Sequence, residues 1–164
     1  MCRNHPEGAE STFKGRNAAT PGGYDYAMNS TKTIRLLIVE DNVADIVLMC
    51  EALREFCASP VEITTAADGD EALSLLSEGA KFDVVILDLN LPKVSGHAFL
   101  ERYKSSYPPI AVFTSSWNDN EAKRALALGA REVVHKPSSY EEYVQAVCGM
   151  VLRWGMNKGA DAAL

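Results

Sequence analysis

The sequence predicts a doubly wound α/β fold in which five parallel strands form one sheet with helices on both faces. Short apolar runs alternate five times along the chain with segments of helical periodicity. The runs are apolar at nearly every position, which is typical of strands that are buried on both faces. Several of them end on acidic, hydroxyl or basic residues, and in such sheets ligands bind at the carboxyl ends of the strands.

The length and net charge of the chain exclude several classes of protein function. The chain has 164 residues, of which 47% are apolar, so it is long enough for one globular domain with a substantial core. A net charge of −6 argues against a broad nucleic-acid-binding surface. No apolar run approaches the roughly 20 residues of a membrane-spanning helix, and the N-terminus has no apolar signal-peptide core. We therefore expect neither membrane insertion nor direct binding to nucleic acid.

Cysteine usage predicts a cytoplasmic protein. The four cysteines, Cys2, Cys50, Cys57 and Cys148, have none of the paired spacings of zinc sites. Cys50 and Cys57 fall in one predicted helix, where they would be about 10 Å apart, which is too far for a disulfide. Thiols without an export signal indicate a reducing compartment.

Three regions are expected along the chain. Residues 1–32 are polar and without period, which predicts a disordered N-terminal tail. Residues 33–154 contain the alternating pattern and form the predicted domain. Residues 155–164 are predicted to be a flexible C-terminal tail.

In the first half of the domain, runs rich in β-branched residues alternate with helical segments. The first of these segments has an apolar stripe along one side. Ser59-Pro60 ends the first helix, and Asp68-Gly69-Asp70 begins the second. The predicted elements are a strand at 34–39, a helix at 42–56, a strand at 61–66, a helix from 68 to about 79 and a strand at 82–88. The stripe of the first helix consists of Leu48, Met49, Ala52, Leu53 and Phe56.

The second half continues the alternation. Asn118-Asp119 offers side-chain oxygens for a helix N-cap, and Gly129 is a suitable residue to end that helix. The predicted elements are a helix from 96 to about 104, a strand at 110–113, a helix from 119 to 128, a strand at 132–135 and a helix at 140–154. The stripe of the last helix consists of Tyr140, Tyr143, Val144, Val147, Val151 and Trp154.

Polar side chains follow four of the predicted strands: the pair Glu40-Asp41, then Asp88, Thr114 and Lys136. Taken alone, Asp88 is equally compatible with a residue that caps the following loop. In a parallel sheet, however, these strand ends share one edge, so the side chains should converge. Clustered carboxylates repel one another, and Mg²⁺ relieves that repulsion. The nearby lysine and hydroxyl group suit a phosphoryl group.

These motifs carry a family resemblance. Across about residues 33–154 the chain resembles a response-regulator receiver domain, the CheY-like fold of two-component signalling. The matching motifs are Val39-Glu40-Asp41-Asn42, Leu87-Asp88-Leu89-Asn90-Leu91-Pro92, Gly96, Thr114-Ser115 and Lys136-Pro137. The stretch from Glu40 to Asp45 further resembles small stand-alone regulators, including those paired with bacterial phytochromes.

The resemblance implies a phosphoacceptor signalling domain whose only catalysis is its own phosphorylation and dephosphorylation. Asp88 would accept the phosphoryl group from a histidine kinase. Asp41, Asp88 and the Asn90 carbonyl would hold Mg²⁺, with Glu40 acting through water.

The resemblance also assigns the groups around the phosphoryl group. Lys136 would pair with its oxygens, Thr114 would move to bond it, and the Ser115 N–H would be a further donor. A cis peptide between Lys136 and Pro137 is usual in the family. Val133 stands three positions before Lys136, where receivers often carry Tyr or Phe, so the usual aromatic switch is expected to be reduced or absent.

Few residues follow Trp154, so the expected output is through partner proteins. The implied partners are a histidine kinase, including one of the phytochrome type, and a downstream protein. The fourth helix, the fifth strand and the last helix would form the interaction face, on which the family often dimerises.

Three alternative functions are also compatible with parts of this sequence. One is a binding module in which phosphorylation has lost importance. Another is an Asp-nucleophile phosphatase of the dehalogenase type, which usually has a second Asp where this chain has Asn90. The third is a flavin or dinucleotide binder, which would need a glycine-rich phosphate loop where Glu40-Asp41-Asn42 stands.

Overall fold

The computed structural model describes residues 32–104 and 106–156, in which five strands alternate with five helices. The strands are β1 (Ile34–Val39), β2 (Val61–Ala66), β3 (Val84–Leu87), β4 (Ile110–Thr114) and β5 (Glu132–His135). The helices are α1 (Val43–Phe56), α2 (Gly69–Ser77), α3 (Gly96–Arg102), α4 (Asp119–Ala127) and α5 (Tyr140–Gly155). The predicted N-terminal tail up to residue 31 and the last predicted residues from 157 lie outside this description.

The strands form one parallel sheet in the order β2-β1-β3-β4-β5. Alternate residues of β1 face opposite sides, as strand geometry requires. Leu36 and Ile38 join the core under α1 and α5, whereas Leu37 and Val39 join the core under α2, α3 and α4. The predicted doubly wound fold is confirmed, and no helix in the described part of the chain is long and apolar enough to cross a membrane.

The predicted bounds of β3 are wrong by two residues at its start and one at its end. The strand begins only at Val84. The side chain of the preceding residue, Asp83, bonds to the neighbouring strand β1. Asp83 Oδ2 accepts the backbone N–H of Arg35 at 2.9 Å, and its Oδ1 lies 3.4 Å from Lys32 Nζ. Asp88 lies immediately after the strand. The structure also ends α3 at Arg102, two residues earlier than predicted.

Two members of the predicted apolar stripes are exposed rather than buried. Phe56, the last residue of α1, is 53% exposed, and Tyr140, the first residue of α5, is 45% exposed. Their rings contact each other edge to face, with 6.2 Å between centroids. These two helix-end side chains therefore pack on each other at the surface and not in the core.

Side-chain caps begin all five helices of the described residues. Ser95 accepts the Ala98 N–H at the start of α3 with its Oγ at 3.2 Å. Gly129 follows α4 with a φ of +105°, a conformation that glycine adopts without strain. Local sequence therefore determines where these helices begin and end.

Gly96 brings α3 against the loop that follows β3. A Cβ at this position would lie 2.6 Å from Leu89 Cα and 2.8 Å from the Asp88 carbonyl oxygen. The Gly96 N–H also donates to the Leu89 carbonyl at 3.0 Å. The close approach fixes the path of the chain directly after Asp88.

Gly96→Ala is expected to lower the free energy of unfolding by about 1–3 kcal/mol, because the clash is with backbone that cannot move aside. Gly149→Ala is the matched control, since its Cβ would meet only Arg153 Nη2 at 3.6 Å. That control is expected to raise stability by about 0.5–1 kcal/mol through helix propensity. Urea unfolding of both variants measures the difference, and equal stability of the two would contradict the close approach.

Candidate functional site

The acidic and basic residues meet at the carboxyl edge of the sheet because the strands before them are parallel neighbours. Val39 pairs with Leu87, so Glu40 and Asp88 leave β1 and β3 side by side. The Asp88 N–H donates to the Val39 carbonyl at 3.0 Å. This pairing brings together carboxylates that are far apart in the sequence.

Lys136 lies at the centre of the cluster. Its Nζ is 2.8 Å from Glu40 Oε2, 2.9 Å from Asp45 Oδ2 and 3.1 Å from Asp88 Oδ2. An ammonium group has three protons, so these carboxylates use its whole donor capacity. The side chain of Lys136 is only 9% exposed, and water screens these contacts little.

The environment of the cluster shifts the pKa values of Glu40 and Lys136. Burial raises the pKa of Glu40, which is 2% exposed, and hydrogen bonds from Lys136 and the Asn42 N–H offset this only in part. Burial opposes the charged form of Lys136, but its bonds to Glu40 and Asp45 and the charge of Asp88 outweigh it and raise its pKa. Lys136 therefore stays charged, and the carboxylates retain a surplus of negative charge.

Asp45 is a member of the cluster that the sequence analysis did not assign. It lies in the first turn of α1, whose N-cap Asn42 directly follows the strand-end acids. Its position could have predicted this contact. Asp45 stands four residues after Asp41, at the start of a helix that begins at the carboxyl edge of the sheet. Asp41, which was predicted as a metal ligand, is exposed and is not among the carboxylates that hold Lys136.

The loop after β3 holds the second oxygen of Asp88. Asp88 Oδ1 accepts the Asn90 N–H at 3.1 Å, while the Asn90 residue is exposed. Lys93 adopts a φ of +60°, and its Nζ is 2.8 Å from Asp68 Oδ2 at the N-cap of α2. Both carboxylate oxygens of Asp88 thus have a donor, and the loop is tied to a neighbouring helix.

The hydroxyl residues lie at the end of β4, next to β3. Thr114 is 2% exposed, and its Oγ1 accepts the Ser116 N–H at 3.2 Å. Ser115 is exposed at the turn, and its carbonyl oxygen lies 3.0 Å from His135 Nε2. The structure places these residues at the predicted edge, and Thr114 is engaged within its own loop.

The expected cis peptide between Lys136 and Pro137 is wrong for this structure, because all peptide bonds among the described residues are trans. The Lys136 N–H donates to the Thr114 carbonyl at 2.8 Å and so extends the pairing of β4 with β5 by one residue. This pairing directs the lysine side chain to the carboxylates.

Two further residues lie outside the cluster. Val133, at the position of the usual aromatic switch, is half-buried against the core under α2, α3 and α4. His97 is half-buried, and its Nε2 lies 3.1 Å from the Glu121 carbonyl oxygen of α4. His97 therefore joins α3 to α4 and has no part in the cluster.

The donor set fits a hard divalent cation. The groups are carboxylate and carbonyl oxygens with a surplus of negative charge, which Mg²⁺ prefers. Within residues 32–104 and 106–156, no group of three or more His, Cys, Asp or Glu side chains is arranged to hold a metal ion. The predicted set of Asp41, Asp88, the Asn90 carbonyl and water does not require such a group.

Lys136→Met is expected to destabilise the protein by about 3–5 kcal/mol near pH 8, because it leaves buried carboxylates without their counter-charge. Without Lys136 the pKa of Glu40 rises further above its ordinary value of 4.5. A folded-state pKa above the unfolded value stabilises the protein at low pH, and that contribution is lost as pH rises. The destabilisation should therefore be clearly smaller at pH 5, as measured by urea unfolding.

Lys93→Met is the control for this experiment, since the side chain of Lys93 is 73% exposed in its pair with Asp68. Its effect should be small and nearly independent of pH between 5 and 8. An equal loss at pH 5 and pH 8 in Lys136→Met would contradict the electrostatic explanation.

Comparison with known proteins identifies the family of this arrangement. The model of the response regulator receiver domain matches residues 36–148. The response regulator SaeR of Staphylococcus aureus is 33% identical over 120 residues, which cover 72% of this chain and 50% of SaeR. The chain thus spans about half the length of the curated relatives it matches.

Solved structures share the fold. The phosphorylated cyanobacterial phytochrome response regulator RcpA has a TM-score of 0.66 at 31% identity, covering 75% of this chain and 94% of its own. The Mn²⁺-bound response regulator Rcp1 has a TM-score of 0.66 at 26% identity, covering 77% and 97%. The chemotaxis response regulator CheY4 of Vibrio cholerae has a TM-score of 0.61 at 27% identity, covering 73% and 99%.

These similarities agree with the sheet order and with the acidic edge around Lys136. They argue against the phosphatase and the flavin- or dinucleotide-binding alternatives. The chain belongs to the response-regulator receiver family of two-component signalling, in which an aspartate accepts a phosphoryl group in a Mg²⁺-dependent reaction.

Proposed function

We propose that Asp88 is the aspartate of this chain that accepts the phosphoryl group of a histidine kinase. The observation that supports this most directly is its place at the carboxyl edge, 6% exposed, with Lys136 on one oxygen and the Asn90 N–H on the other. A carboxylate oxygen would attack the phosphorus atom while the P–N bond to the imidazole breaks. The products are an acyl phosphate on Asp88 and the free histidine of the kinase.

The surrounding acids would bind the metal ion that this reaction needs. Asp41, Asp88 and the Asn90 carbonyl would hold Mg²⁺, and Glu40 would act on it through water. The bound ion would neutralise charge on the phosphoryl oxygens. Support comes from the oxygen-only donor set and from the raised pKa of Glu40, which burial causes and the charge of Asp88 increases.

The remaining groups would orient and sense the phosphoryl group. Lys136 already contacts Asp88 and would transfer that contact to a phosphoryl oxygen. The Thr114 hydroxyl would leave its bond with the Ser116 N–H to reach the phosphoryl group, and the Ser115 N–H would be a further donor. Hydrolysis of the acyl phosphate at the same site would return the protein to its resting state.

The output of this receiver would pass through a protein partner that binds α4, β5 and α5, on which the chain would also dimerise. Trp117 is 82% exposed in the loop between β4 and α4, and its ring packs on that of His135, the last residue of β5. Since Val133 provides no aromatic switch, we expect movement of Thr114 to reach this face through the loop that carries Trp117. The likeness to RcpA supports a phytochrome-type sensor kinase as the phosphoryl donor. The proposed location of this reaction is the cytoplasm.

Asp88→Asn is expected to abolish phosphorylation. The full chain would be incubated with acetyl phosphate and Mg²⁺, and its intact mass recorded. We expect one phosphoryl adduct that requires Mg²⁺, is absent from Asp88→Asn and persists in the control Asp119→Asn, an exposed residue of α4. An adduct of undiminished yield in a folded Asp88→Asn variant would contradict the proposal and place the phosphoryl group on another residue. The absence of any adduct in the wild type would contradict it as well and favour the binding-module alternative.

Asp41→Asn is expected to weaken Mn²⁺ binding by about tenfold or more, because it removes a proposed ligand. Asp45→Asn is the matched control: it removes the same charge from the same edge, but its carboxylate faces Lys136. Titration with Mn²⁺ followed by electron paramagnetic resonance measures both affinities. An equal loss in the two variants would indicate general charge attraction and not coordination by Asp41.

A further inference from the structure

One of the three carboxylates on Lys136 comes from a helix and not from the end of a strand. Asp45 lies in the first turn of α1, and its Oδ2 is 2.9 Å from Lys136 Nζ. Its side chain is 29% exposed, whereas the side chains of Glu40 and Asp88 are 2% and 7% exposed. None of the roles described above for the phosphorylation site accounts for this third carboxylate.

We propose that Asp45 is a positioning residue that holds Lys136 in the resting protein and releases it when Asp88 is phosphorylated. Asp45 would act only through Lys136 and would contact neither the phosphoryl group nor the metal ion. The inference rests on the proposed role of Asp88 as the phosphoryl acceptor. It makes the separation of Asp45 from Lys136 a step on the way to the phosphorylated protein.

The number of protons on Lys136 requires an exchange of partners. Carboxylates use all three donors of the ammonium group, one each for Glu40, Asp45 and Asp88. The donor that now reaches Asp88 can pass to one phosphoryl oxygen. A phosphoryl group, however, has three strong acceptor oxygens and a charge of about −1.5 to −2. A second donor becomes available to it only if another carboxylate leaves Lys136.

Asp45 is the carboxylate that leaves at the lower cost. The alternative, Glu40, is buried, and its Oε1 is also held by the Asn42 N–H at 3.0 Å. A buried carboxylate that loses its counter-charge is not rehydrated, so its desolvation stays uncompensated. The Asp45 side chain is partly exposed, and water can replace the ammonium group on its oxygens. Lys136 therefore gives up Asp45 and keeps Glu40.

Lys136 stays in the site without Asp45. Its side chain is only 9% exposed, and its Nζ lies 5.9 Å from the centre of the Phe113 ring. The contacts of the ammonium group with Glu40 and Asp88 do not involve α1. Loss of the Asp45 carboxylate therefore makes one donor available to the phosphoryl group and leaves the ammonium group where it is needed.

Formation and hydrolysis of the acyl phosphate should respond differently to a neutral side chain at position 45. During formation Lys136 has to leave Asp45, so removal of the carboxylate lowers the barrier. During hydrolysis Lys136 has left Asp45 both in the phosphorylated protein and in the transition state, so the substitution affects the two states alike. A residue that only supported the local structure would not separate the two rates in this way.

The test follows the intact mass of the full chain over time with Mg²⁺ and acetyl phosphate below saturation. We expect folded Asp45→Asn to gain the adduct roughly three- to tenfold faster than the wild type, as for the loss of one partly exposed charged hydrogen bond. After removal of acetyl phosphate, the two adducts should be hydrolysed in Mg²⁺ at rates that agree within about twofold. Asp45→Ala, which has no acceptor group, should show the same pair of rates.

A control variant separates this effect from general attraction of the acetyl phosphate anion. Asp119→Asn removes the same charge from the exposed first residue of α4, which is not one of the carboxylates on Lys136. It should react at the wild-type rate. The acceleration in Asp45→Asn should persist at about 0.5 M KCl, because salt screens attraction between exposed charges much more than a partly buried contact.

Three results would overturn the proposal: formation in folded Asp45→Asn that is no faster than in the wild type, acceleration that disappears at high salt, or equal changes in formation and hydrolysis. Each is measured on an adduct that the wild type also forms, so Asp88 would remain the acceptor. A wild type that forms no adduct would overturn the proposed role of Asp88 and this inference together.

Discussion

The ammonium group of Lys136 is the one positive charge on which the arrangement of the sheet edge depends. Glu40 and Asp88 are 2% and 6% exposed, and Asp45 approaches the same nitrogen from α1. Buried carboxylates in contact with one another would be too costly to keep ionised without such a partner. The paths of the chain after β1, β3 and β5 all lead to this point, and each provides one member of the cluster.

Lys136 compensates the carboxylates only in part. Glu40 keeps a raised pKa, caused first by burial, although it accepts bonds from Lys136 and Asn42. A site that needs further positive charge is well prepared for a divalent cation and then for a phosphoryl group, whose charge is negative. The stability that complete charge balance would provide is thus given up at the edge of the sheet where we propose the phosphorylation.

The pairing of α1 with α5 connects this edge to the rest of the domain. Both helices begin at the carboxyl edge, and the contact between Asp45 and Lys136 joins their beginnings. Farther along, Cys148 Sγ of α5 lies 3.7 Å from the Ala52 carbonyl oxygen of α1. A change in charge at the sheet edge therefore acts on two helices that are packed against each other.

The strands, the helix caps and the identity of the strand-end residues follow from the amino-acid sequence. Buried parallel strands have uniformly apolar runs, caps such as Asn42 and Ser95 act within three residues, and parallel strands place Glu40, Asp88 and Lys136 at one edge. The contact of Asp45 with Lys136 and the exposure of Phe56 follow from the tertiary structure alone. Each of these depends on how a helix is placed and rotated against a segment distant in the chain, and local periodicity carries no information about that placement.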